Sequence, residues 1–482
     1  MRDPARRDPR AYIMSASQPD FPTATKFVNA LRHAGLTVER ATRDFSVAGK
    51  SYPAGSYVVP MAQAFRAHAL DMFEPQDHPN DFAYPGGPPI RPYDNAGYTL
   101  AYQMGVQFDR ILDGYTCPCE RIQGMASPAP ATVANRGGTG FLLSPRQNDV
   151  FRAVNQLLKG GATVSRLSAP LSANGKTFPA GTFHATGGSA AQTLETAARE
   201  LGVAVEGVNA RPASADRVTA PRIALWDTYG GSMPSGWTRW LLEQYEFPFT
   251  VVYTPELDAG RLRAKYDVIV LVTGAIQSGG GGGGGGGRGG RFTPPEEFRH
   301  MVGRVTDQTA PHLRRFMEEG GQVITIGSST ALAYMLGLPV HNALVERTPD
   351  GQERPLVGDK YYVPGSVLRV AVDSTASIAA GSQGHADVMF DNSPVFRLSP
   401  DAAAKGVTPI AWFDTATPLR SGWAWGQNYL EGGVTMAEAR VGRGKLYLFG
   451  PEILFRAQPH GTFRFFFNAL LDANRSPSPL TP

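Results

Sequence analysis

Two segments of this 482-residue chain match each other, and this internal repeat constrains the fold more than any other feature of the sequence. Residues 23–59 align with residues 149–185 at a constant offset of 126, and 13 of the 37 aligned positions are identical. The closest match pairs residues 49–57 (GKSYPAGSY) with residues 175–183 (GKTFPAGTF). Because such a match is rare by chance, the repeat indicates a structural unit that is present twice.

Each copy has the pattern of a small α/β unit. A short apolar strand precedes apolar residues at helical spacing, and a second strand leads into a turn at Pro-Ala-Gly. The predicted strands are 12–14 and 36–40 in the first copy and 141–143 and 162–166 in the second, and the closing helices are 62–73 and 190–201. We therefore predict one repeat over residues 11–135, which includes a Pro/Gly-rich loop, and a second over residues 136–215.

The second half of the chain has a different pattern. From residue 220 onward strands alternate with helices, which is typical of a wound, mostly parallel sheet. The predicted strands are 222–226, 249–253, 266–273, 322–327 and 445–449, and the predicted helices are 233–245, 258–265, 312–319 and 461–471. In the first of these helices, Trp237, Trp240 and Leu241 are predicted to form the apolar side. The predicted fold class is α/β, with a duplicated small unit followed by a flavodoxin-like sheet domain over residues 219–476.

Composition excludes several classes of protein. The net charge of +4 is spread along the chain, so it does not indicate a nucleic-acid surface. No apolar run reaches the ~18 residues of a membrane helix, and no apolar segment follows the charged N-terminus as a secretory signal requires. The 55 Gly and 39 Pro trace to the Pro-Ala-Gly turns, to a loop over residues 77–98, and to a Gly-rich loop over residues 279–290. In the loop over 77–98, four aromatic residues are predicted to supply the packing: Phe82, Tyr84, Tyr93 and Tyr98.

The two cysteines exclude a disulfide scaffold and a zinc site built from cysteine. Cys117 and Cys119 flank Pro118, and a bridge across one residue fits poorly with the usual separation of bonded cysteines. We predict free thiols, with a reactive or metal-binding pair as the alternative.

Wound sheets bind ligands beyond the carboxyl ends of their strands. A pocket is therefore predicted from the residues that follow the strands of the second half: Asp227, Tyr229, Gly230, Gly231, Thr273, Ser328 and Ser329. Ser329 lies on a turn that is similar to a nucleophile elbow, which would suit a hydrolase. No acid–histidine pair accompanies it, and capping of a helix by Ser328 or Ser329 is the simpler interpretation.

Two further groups of residues carry weaker signals. The loop residues Asp77, His78 and Asp81, with Asp94, are of types that ligate metals, although packing of the loop explains them as well. Trp423, Trp425 and Tyr429 are predicted to be exposed near strand ends. Such aromatic residues favour a site for a small molecule or a carbohydrate.

The sequence also resembles a known family. The matching residues are Tyr12-Ile13-Met14-Ser15, residues 18–27 (QPDFPTATKF), residues 49–57 and residues 73–81 (FEPQDHPND). They are similar to the region that follows the carboxypeptidase A-type catalytic domain in large bacterial zinc carboxypeptidase-like proteins. Residues from 220 onward resemble the class I glutamine amidotransferase-like domain at the C-terminus of those proteins.

The resemblance implies an accessory role and lacks the catalytic motifs. The family's zinc site uses His-x-x-Glu, and none of the nine histidines has Glu three residues later. Glutamine hydrolysis needs a Cys at the elbow and a late His-x-Glu, but Ser328 and Ser329 occupy the elbow and Thr462 follows His460. The resemblance therefore implies a non-catalytic region, structural or ligand-binding, without a cofactor of its own. Its partner would be an upstream carboxypeptidase-type domain that carries zinc, in a secreted or periplasmic protein.

Overall fold

The computed structural model describes residues 8–277 and 294–477, so the predicted Gly-rich loop lies outside the described residues. The described chain forms two compact units. Unit 1 contains residues 8–75, 99–218 and 476–477, and unit 2 contains residues 76–98 and 219–475. This division differs from the predicted one, because both repeats belong to unit 1 and the Pro/Gly-rich loop belongs to unit 2.

The first repeat of unit 1 forms an antiparallel sheet that is covered by helices. Its elements are β1 (Ala11–Met14), α1 (Phe21–His33), β2 (Glu39–Ala41), β3 (Phe45–Val47), β4 (Lys50–Tyr52), β5 (Tyr57–Pro60), α2 (Arg66–Phe73), α3 (Leu100–Gln103), β6 (Asp109–Ile111) and β7 (Cys119–Arg121). The sheet order is β6-β1-β5-β2-β7. On one face, Tyr12 stacks on Phe73 with ring centroids 4.1 Å apart, inside a core that also includes Phe27 and Leu31.

The second repeat has the same succession of elements. It consists of β8 (Val133–Ala134), β9 (Gly140–Leu143), α4 (Asp149–Lys159), β10 (Thr163–Leu167), β11 (Leu171–Ala173), β12 (Lys176–Phe178), β13 (Phe183–Thr186), α5 (Ala190–Leu201), β14 (Val205–Val208) and β15 (Ala215–Val218). The hairpin β11–β12 corresponds to β3–β4, and β13 corresponds to β5. The last strand of the chain, Ser476–Pro477, pairs with β15. The prediction of a duplicated α/β unit is confirmed.

The prediction of free thiols is wrong, because Cys117 and Cys119 form a disulfide. The chain turns at Pro118, whose carbonyl oxygen accepts hydrogen bonds from the Thr42 N–H and the Thr42 hydroxyl, both at 2.8 Å. The turn brings the two Cα atoms to 5.1 Å, which lies within the usual range for bonded cysteines.

Unit 2 is built on one large mixed sheet. Its strands are β16 (Ile223–Trp226), β17 (Phe249–Val252), β18 (Val268–Leu271), β19 (Gln322–Ile326), β20 (Val340–Asn342), β21 (Val345–Arg347), β22 (Glu353–Pro355), β23 (Ser366–Val372), β24 (His385–Phe390), β25 (Phe396–Leu398), β26 (Val407–Trp412), β27 (Leu419–Ser421), β28 (Val434–Val441) and β29 (Gly444–Phe449). Its helices are α6 (Met233–Gln244), α7 (Thr254–Asp258), α8 (Leu262–Lys265), α9 (Ala310–Glu318), α10 (Leu332–Met335) and α11 (His460–Asp472).

The sheet of unit 2 has a parallel half and an antiparallel half. The strands β17, β16, β18, β19 and β29 are parallel in that order, which confirms the predicted wound sheet. The sheet then continues through β28, β26, β23 and β24, all antiparallel to their neighbours. Sequence analysis did not predict these antiparallel strands. In the described residues, no helix is long and apolar enough to cross a membrane.

Helix α6 buries a different face from the one predicted. Its buried residues include Thr238, Leu241 and Leu242. Trp237 and Trp240 instead remain 39% and 45% exposed, so the prediction that they form the buried side is wrong. The buried stripe begins at Ser235, and residues spaced three and four apart from it fall on the sheet side of the helix.

Residues 76–98 of unit 2, which we call the strap, are held by backbone and side-chain bonds. The Gln76 N–H donates to the Ser421 hydroxyl at 2.9 Å, and the Gly97 N–H donates to the Gly365 carbonyl at 3.0 Å. A Cβ at Gly97 would collide with the backbone of Gly422, so this approach requires glycine. These bonds explain why the strap belongs to unit 2.

Only part of the predicted aromatic packing of the strap is present. Phe82 contacts the rings of Trp423 and Trp425. Tyr84 and Tyr93 are 63% and 106% exposed, and Tyr98 is exposed as well, so these three tyrosines do not pack the loop as predicted.

Candidate functional site

The carboxyl ends of the parallel strands of unit 2 meet at one edge of the sheet, which we call the strand edge. The structure places Asp227 after β16, Thr273 after β18, and Ser328 and Ser329 after β19, as the sequence pattern predicts for parallel strands. The Gly274 N–H donates to the Ser328 hydroxyl at 3.0 Å, and the Thr273 hydroxyl lies 3.3 Å from the Ile326 carbonyl oxygen. The predicted residues are therefore neighbours along this edge.

The two serines of the strand edge hold a backbone turn. The Ser329 side chain is fully buried; its hydroxyl donates to the Val272 carbonyl at 2.6 Å and accepts from the Ile276 N–H at 3.2 Å. The Ser328 hydroxyl donates to the Ile276 carbonyl at 2.9 Å. A nucleophilic serine needs a hydroxyl that can reach a substrate and a base that takes its proton. The Ser329 hydroxyl is committed to backbone groups instead, and neither serine caps a helix as expected.

Asp227 organises the loop that follows β16. Its buried carboxylate accepts from the N–H groups of Thr228 and Ser232, both at 2.8 Å, and forms an ion pair with Arg239. Within this loop the Tyr229 N–H donates to the Met301 carbonyl, and Gly230 and Gly231 have φ of 85° and 80°. Left-handed backbone at two successive positions suits glycine. These predicted site residues therefore build a tight turn.

Glu452 is a residue of the strand edge that sequence analysis missed. It follows β29, the fifth parallel strand, and its carboxylate accepts from the Thr273 hydroxyl. A Cβ on Gly327 would lie 2.6 Å from Glu452 Oε1, so the glycine leaves room for the carboxyl. Burial raises the pKa of Glu452 to about 7, with a smaller contribution from Asp391. The rule that identified Thr273 also identifies Glu452 when it is applied to the last strand.

The position of Glu452 corrects the motif search. Glu452 ends the sequence Gly450-Pro451-Glu452, which has the spacing of His-x-Glu with glycine in place of histidine. A Cβ on Gly450 would collide with the carbonyl oxygen of Pro394, so the backbone closes the position to a histidine side chain. Both cysteines of the chain lie in unit 1. The strand edge therefore has a glutamate without the histidine and cysteine that glutamine hydrolysis uses.

The strap does not assemble the predicted metal site. Asp77 pairs through its backbone with Gly422, and the His78 ring stacks on Trp423 with centroids 5.2 Å apart. The Asp81 carbonyl accepts from the Ile90 N–H, and Asp94 forms an ion pair with Arg456 at 2.7 Å. Between residues 8–277 and 294–477, no group of three or more His, Cys, Asp or Glu side chains could hold a metal ion. The residues present do not fit the zinc that the resemblance implies for the parent family.

A cleft of about 600 Å³ lies between the strap and the segment that follows β26, and we call it the aromatic cleft. Its walls include Asp77, His78, Asn80, Thr417, Trp423, Trp425, Gln427 and Asn428. Trp423 forms its base; contrary to prediction it is only 2% exposed, and its indole N–H donates to Asn80 Oδ1 at 2.8 Å. Trp425 is partly exposed, and its indole N–H donates to the Asp359 carbonyl at 2.7 Å. Both indoles are therefore held in place.

The polar groups of the aromatic cleft are mostly neutral. Among the described residues that line it, none is Lys or Arg, and only Asp77 and His78 can carry charge. Gln427 accepts from the Leu419 N–H through its side-chain oxygen, which leaves its amide nitrogen available. The side chain of Asn428 is exposed at the rim, as is Tyr429 nearby. The cleft thus combines aromatic faces with side-chain amides that donate and accept hydrogen bonds.

No protein-family model and no curated protein matches this chain. Similar solved structures include a β-galactosidase from Rahnella sp. R3, with 12% identity, a TM-score of 0.31, and coverage of 53% of this chain and 31% of that one. Others are a proposed GMP synthase component from Thermoplasma acidophilum (13% identity, TM-score 0.29, 52% and 95% coverage) and a proposed ThuA-like protein from Bacteroides uniformis (10%, 0.30, 52% and 89%).

The neighbours thus include amidotransferase-like folds, and no relation to carboxypeptidases is shown. This chain spans about a third of the β-galactosidase that it matches. At TM-scores near 0.3, these likenesses carry no argument about activity.

Proposed function

We propose that this chain is a non-catalytic, ligand-binding region and that the aromatic cleft of unit 2 binds a small neutral carbohydrate. The observation that carries the proposal is the combination of two fixed indoles with side-chain amides in one cleft of about 600 Å³. Clefts of this size, with apolar walls and a few placed polar groups, are typical of small-molecule sites.

The chemistry of the walls favours a sugar. A pyranose presents an apolar face of C–H groups and a rim of hydroxyls that both donate and accept hydrogen bonds. The partly exposed ring of Trp425 offers a flat apolar surface, and the amides of Gln427 and Asn428 supply both donors and acceptors. Because the hydrogen bond to Asp359 fixes the indole, little side-chain freedom would be lost on binding.

The charge of the cleft favours a neutral ligand. Recognition of a carboxylate or a phosphate uses Arg or Lys, which pair with the anion. The described lining has neither residue and carries the Asp77 carboxylate at its rim. An anionic sugar would therefore enter without a counter-charge and bind more weakly than its neutral analogue.

The proposed context is that of the resemblance, an accessory region beside a zinc carboxypeptidase-type catalytic domain. The Cys117–Cys119 disulfide is consistent with a secreted or periplasmic parent, because disulfides persist in oxidising compartments. The genomic sequence upstream of Met1 tests this context directly. An in-frame peptidase domain there supports it, and an unrelated neighbouring gene contradicts it.

Binding is tested by calorimetry on the full chain with neutral mono- and disaccharides and with glucuronate as the charged counterpart. We expect binding of at least one neutral sugar with Kd on the order of 0.1–1 mM, and tenfold or greater weakening by Trp425→Ala. Tyr93→Ala is the matched control, because this strap tyrosine lies outside the cleft lining and is fully exposed. The proposal is abandoned if no neutral sugar binds, or if Trp425→Ala binds as well as the wild type.

A further inference from the structure

Helix α6 of unit 2 presents an apolar stripe to solvent. Met233, Trp237 and Trp240 are spaced four and three residues apart, so they lie on one face of the helix. Met233 is 73% exposed, and both indoles are more than a third exposed. Two tryptophans on one solvent-facing stripe are unusual for a surface without a partner, since exposed apolar patches mark interaction sites.

Gly236 lies between these side chains and makes a notch in the same face. It is in the interior of α6, where glycine costs about 1 kcal/mol of helix stability relative to alanine. A Cβ at Gly236 would have no atom within 4 Å, so no contact within the chain requires glycine there. A close approach by another molecule would explain why the position lacks a side chain.

We propose that this face of α6 is the contact surface of a homodimer, in which α6 packs antiparallel against α6 of a second copy. This inference is independent of the carbohydrate site. A two-fold interface must be complementary to itself, so one patch must supply both a projection and a recess. The stripe supplies both, because Trp240 projects from it and Gly236 is the recess. With the helices crossing near residue 238, Trp240 of one copy enters the notch at the partner's Gly236.

Charge and area agree with this arrangement. The same crossing places the exposed Glu243 beside the partner's Met233, at the start of that helix, where a carboxylate is favourable to the helix dipole. Covering the three apolar side chains in both copies removes on the order of 700 Å² from water, which is nearly half of a standard interface. A dimer of micromolar affinity is the expected consequence.

A membrane surface is the other environment in which such tryptophans occur. Helices that bind membranes carry several Lys or Arg residues on the polar face. Helix α6 has one basic residue, Arg239, which is paired with Asp227, and it carries the acidic Glu243. The composition of the helix therefore favours the protein partner.

The test is sedimentation velocity on the full chain from about 1 to 100 μM, which spans the expected Kd. We expect a dimer whose Kd rises at least tenfold in Trp240→Ser and in Gly236→Leu. Gly236→Leu fills the notch while it removes a helix-destabilising glycine, so its melting temperature should equal or exceed that of the wild type. Tyr334→Ser, at an exposed aromatic residue of α10, is the matched control and should leave the Kd unchanged.

Three results would overturn the proposal. The first is a chain that stays monomeric at about 100 μM, well above the expected Kd. The second is a dimer whose Kd is unchanged in both Trp240→Ser and Gly236→Leu. The third is a monomeric chain that binds vesicles of phosphatidylcholine and phosphatidylglycerol with a blue shift of tryptophan emission that Trp240→Ser abolishes. That last result would assign the stripe to membranes.

Discussion

The strand edge and the aromatic cleft are both polar regions of unit 2, but they use their polar groups in opposite ways. At the strand edge, Asp227, Ser328 and Ser329 spend their hydrogen-bonding capacity on nearby backbone groups and on Arg239. In the aromatic cleft, Gln427 and Asn428 keep donors and acceptors that face open space. The topology of a wound sheet gathers polar residues at its strand ends, yet only residues with unused bonding capacity can hold a ligand.

This contrast predicts that changes at the strand edge affect stability, whereas changes in the aromatic cleft affect binding. Each of the following experiments sharpens the contrast or breaks it.

The largest loss of stability is expected from Asp227→Ala. The change removes a buried carboxylate that accepts from two backbone N–H groups and pairs with Arg239. We expect the free energy of unfolding to fall by about 4 kcal/mol, measured by urea denaturation. Asp227→Asn keeps one acceptor oxygen and should recover part of the loss. A decrease below about 1 kcal/mol for Asp227→Ala would show that the loop is not held by this side chain.

The second effect is a pH dependence that originates at Glu452. Its pKa is about 7 in the folded chain, above the ordinary value of 4.5, so between these values the folded state binds more protons than the unfolded state. Stability from this group is therefore complete below pH 4.5 and is lost as the pH rises through 7, by roughly 3 kcal/mol. Urea denaturation at pH 5 and pH 8 should show this loss in the wild type and its absence in Glu452→Gln. Equal pH dependence in both proteins would contradict the assignment.

The third prediction concerns Ser329. In Ser329→Ala the buried Ile276 N–H loses its acceptor and the Val272 carbonyl loses its donor. The expected cost is about 2 kcal/mol of unfolding free energy, with sugar binding unchanged. If the variant kept full stability but lost an esterase activity of the wild type, Ser329 would be a nucleophile and the strand edge a catalytic site.

The smallest change in stability is expected at the rim of the aromatic cleft. Asn428 is exposed, so Asn428→Ala should alter the free energy of unfolding by less than about 0.5 kcal/mol. Loss of a hydrogen bond to the ligand should weaken sugar binding about fivefold, which calorimetry can measure. A destabilised variant with unchanged affinity would reverse the contrast between the two regions.

The sequence predicts the regular parts of this fold and misses the parts that depend on long-range contacts. The repeat and the apolar strands β16, β18 and β19 are visible as local patterns. The antiparallel half of the sheet was missed because β20, β25 and β27 are short, and their pairing depends on residues far away in the chain. The burial of Trp423 is likewise set by the strap, more than 300 residues away in the chain.

The candidate site shows the same limit. Strand ends can be located by pattern, which is how Thr273 and Ser328 were identified and how Glu452 could have been found. Whether a hydroxyl is free or committed depends on its neighbours in space, as the bonds of Ser329 to Val272 and Ile276 show. Cys117 and Cys119 illustrate the point at short range, because their bond depends on a turn at Pro118.

The strap also sets an order of events during synthesis. Gln76 is made 345 residues before its partner Ser421, so at about 5–20 residues per second the strap waits roughly 20–70 s for the sheet that receives it. A gene fragment that starts at residue 219 would encode unit 2 without the strap residues that wall its cleft. Unit 2 is therefore contiguous in space but not in the gene, and any recombinant version of it must carry residues 76–98 as a fused or added peptide.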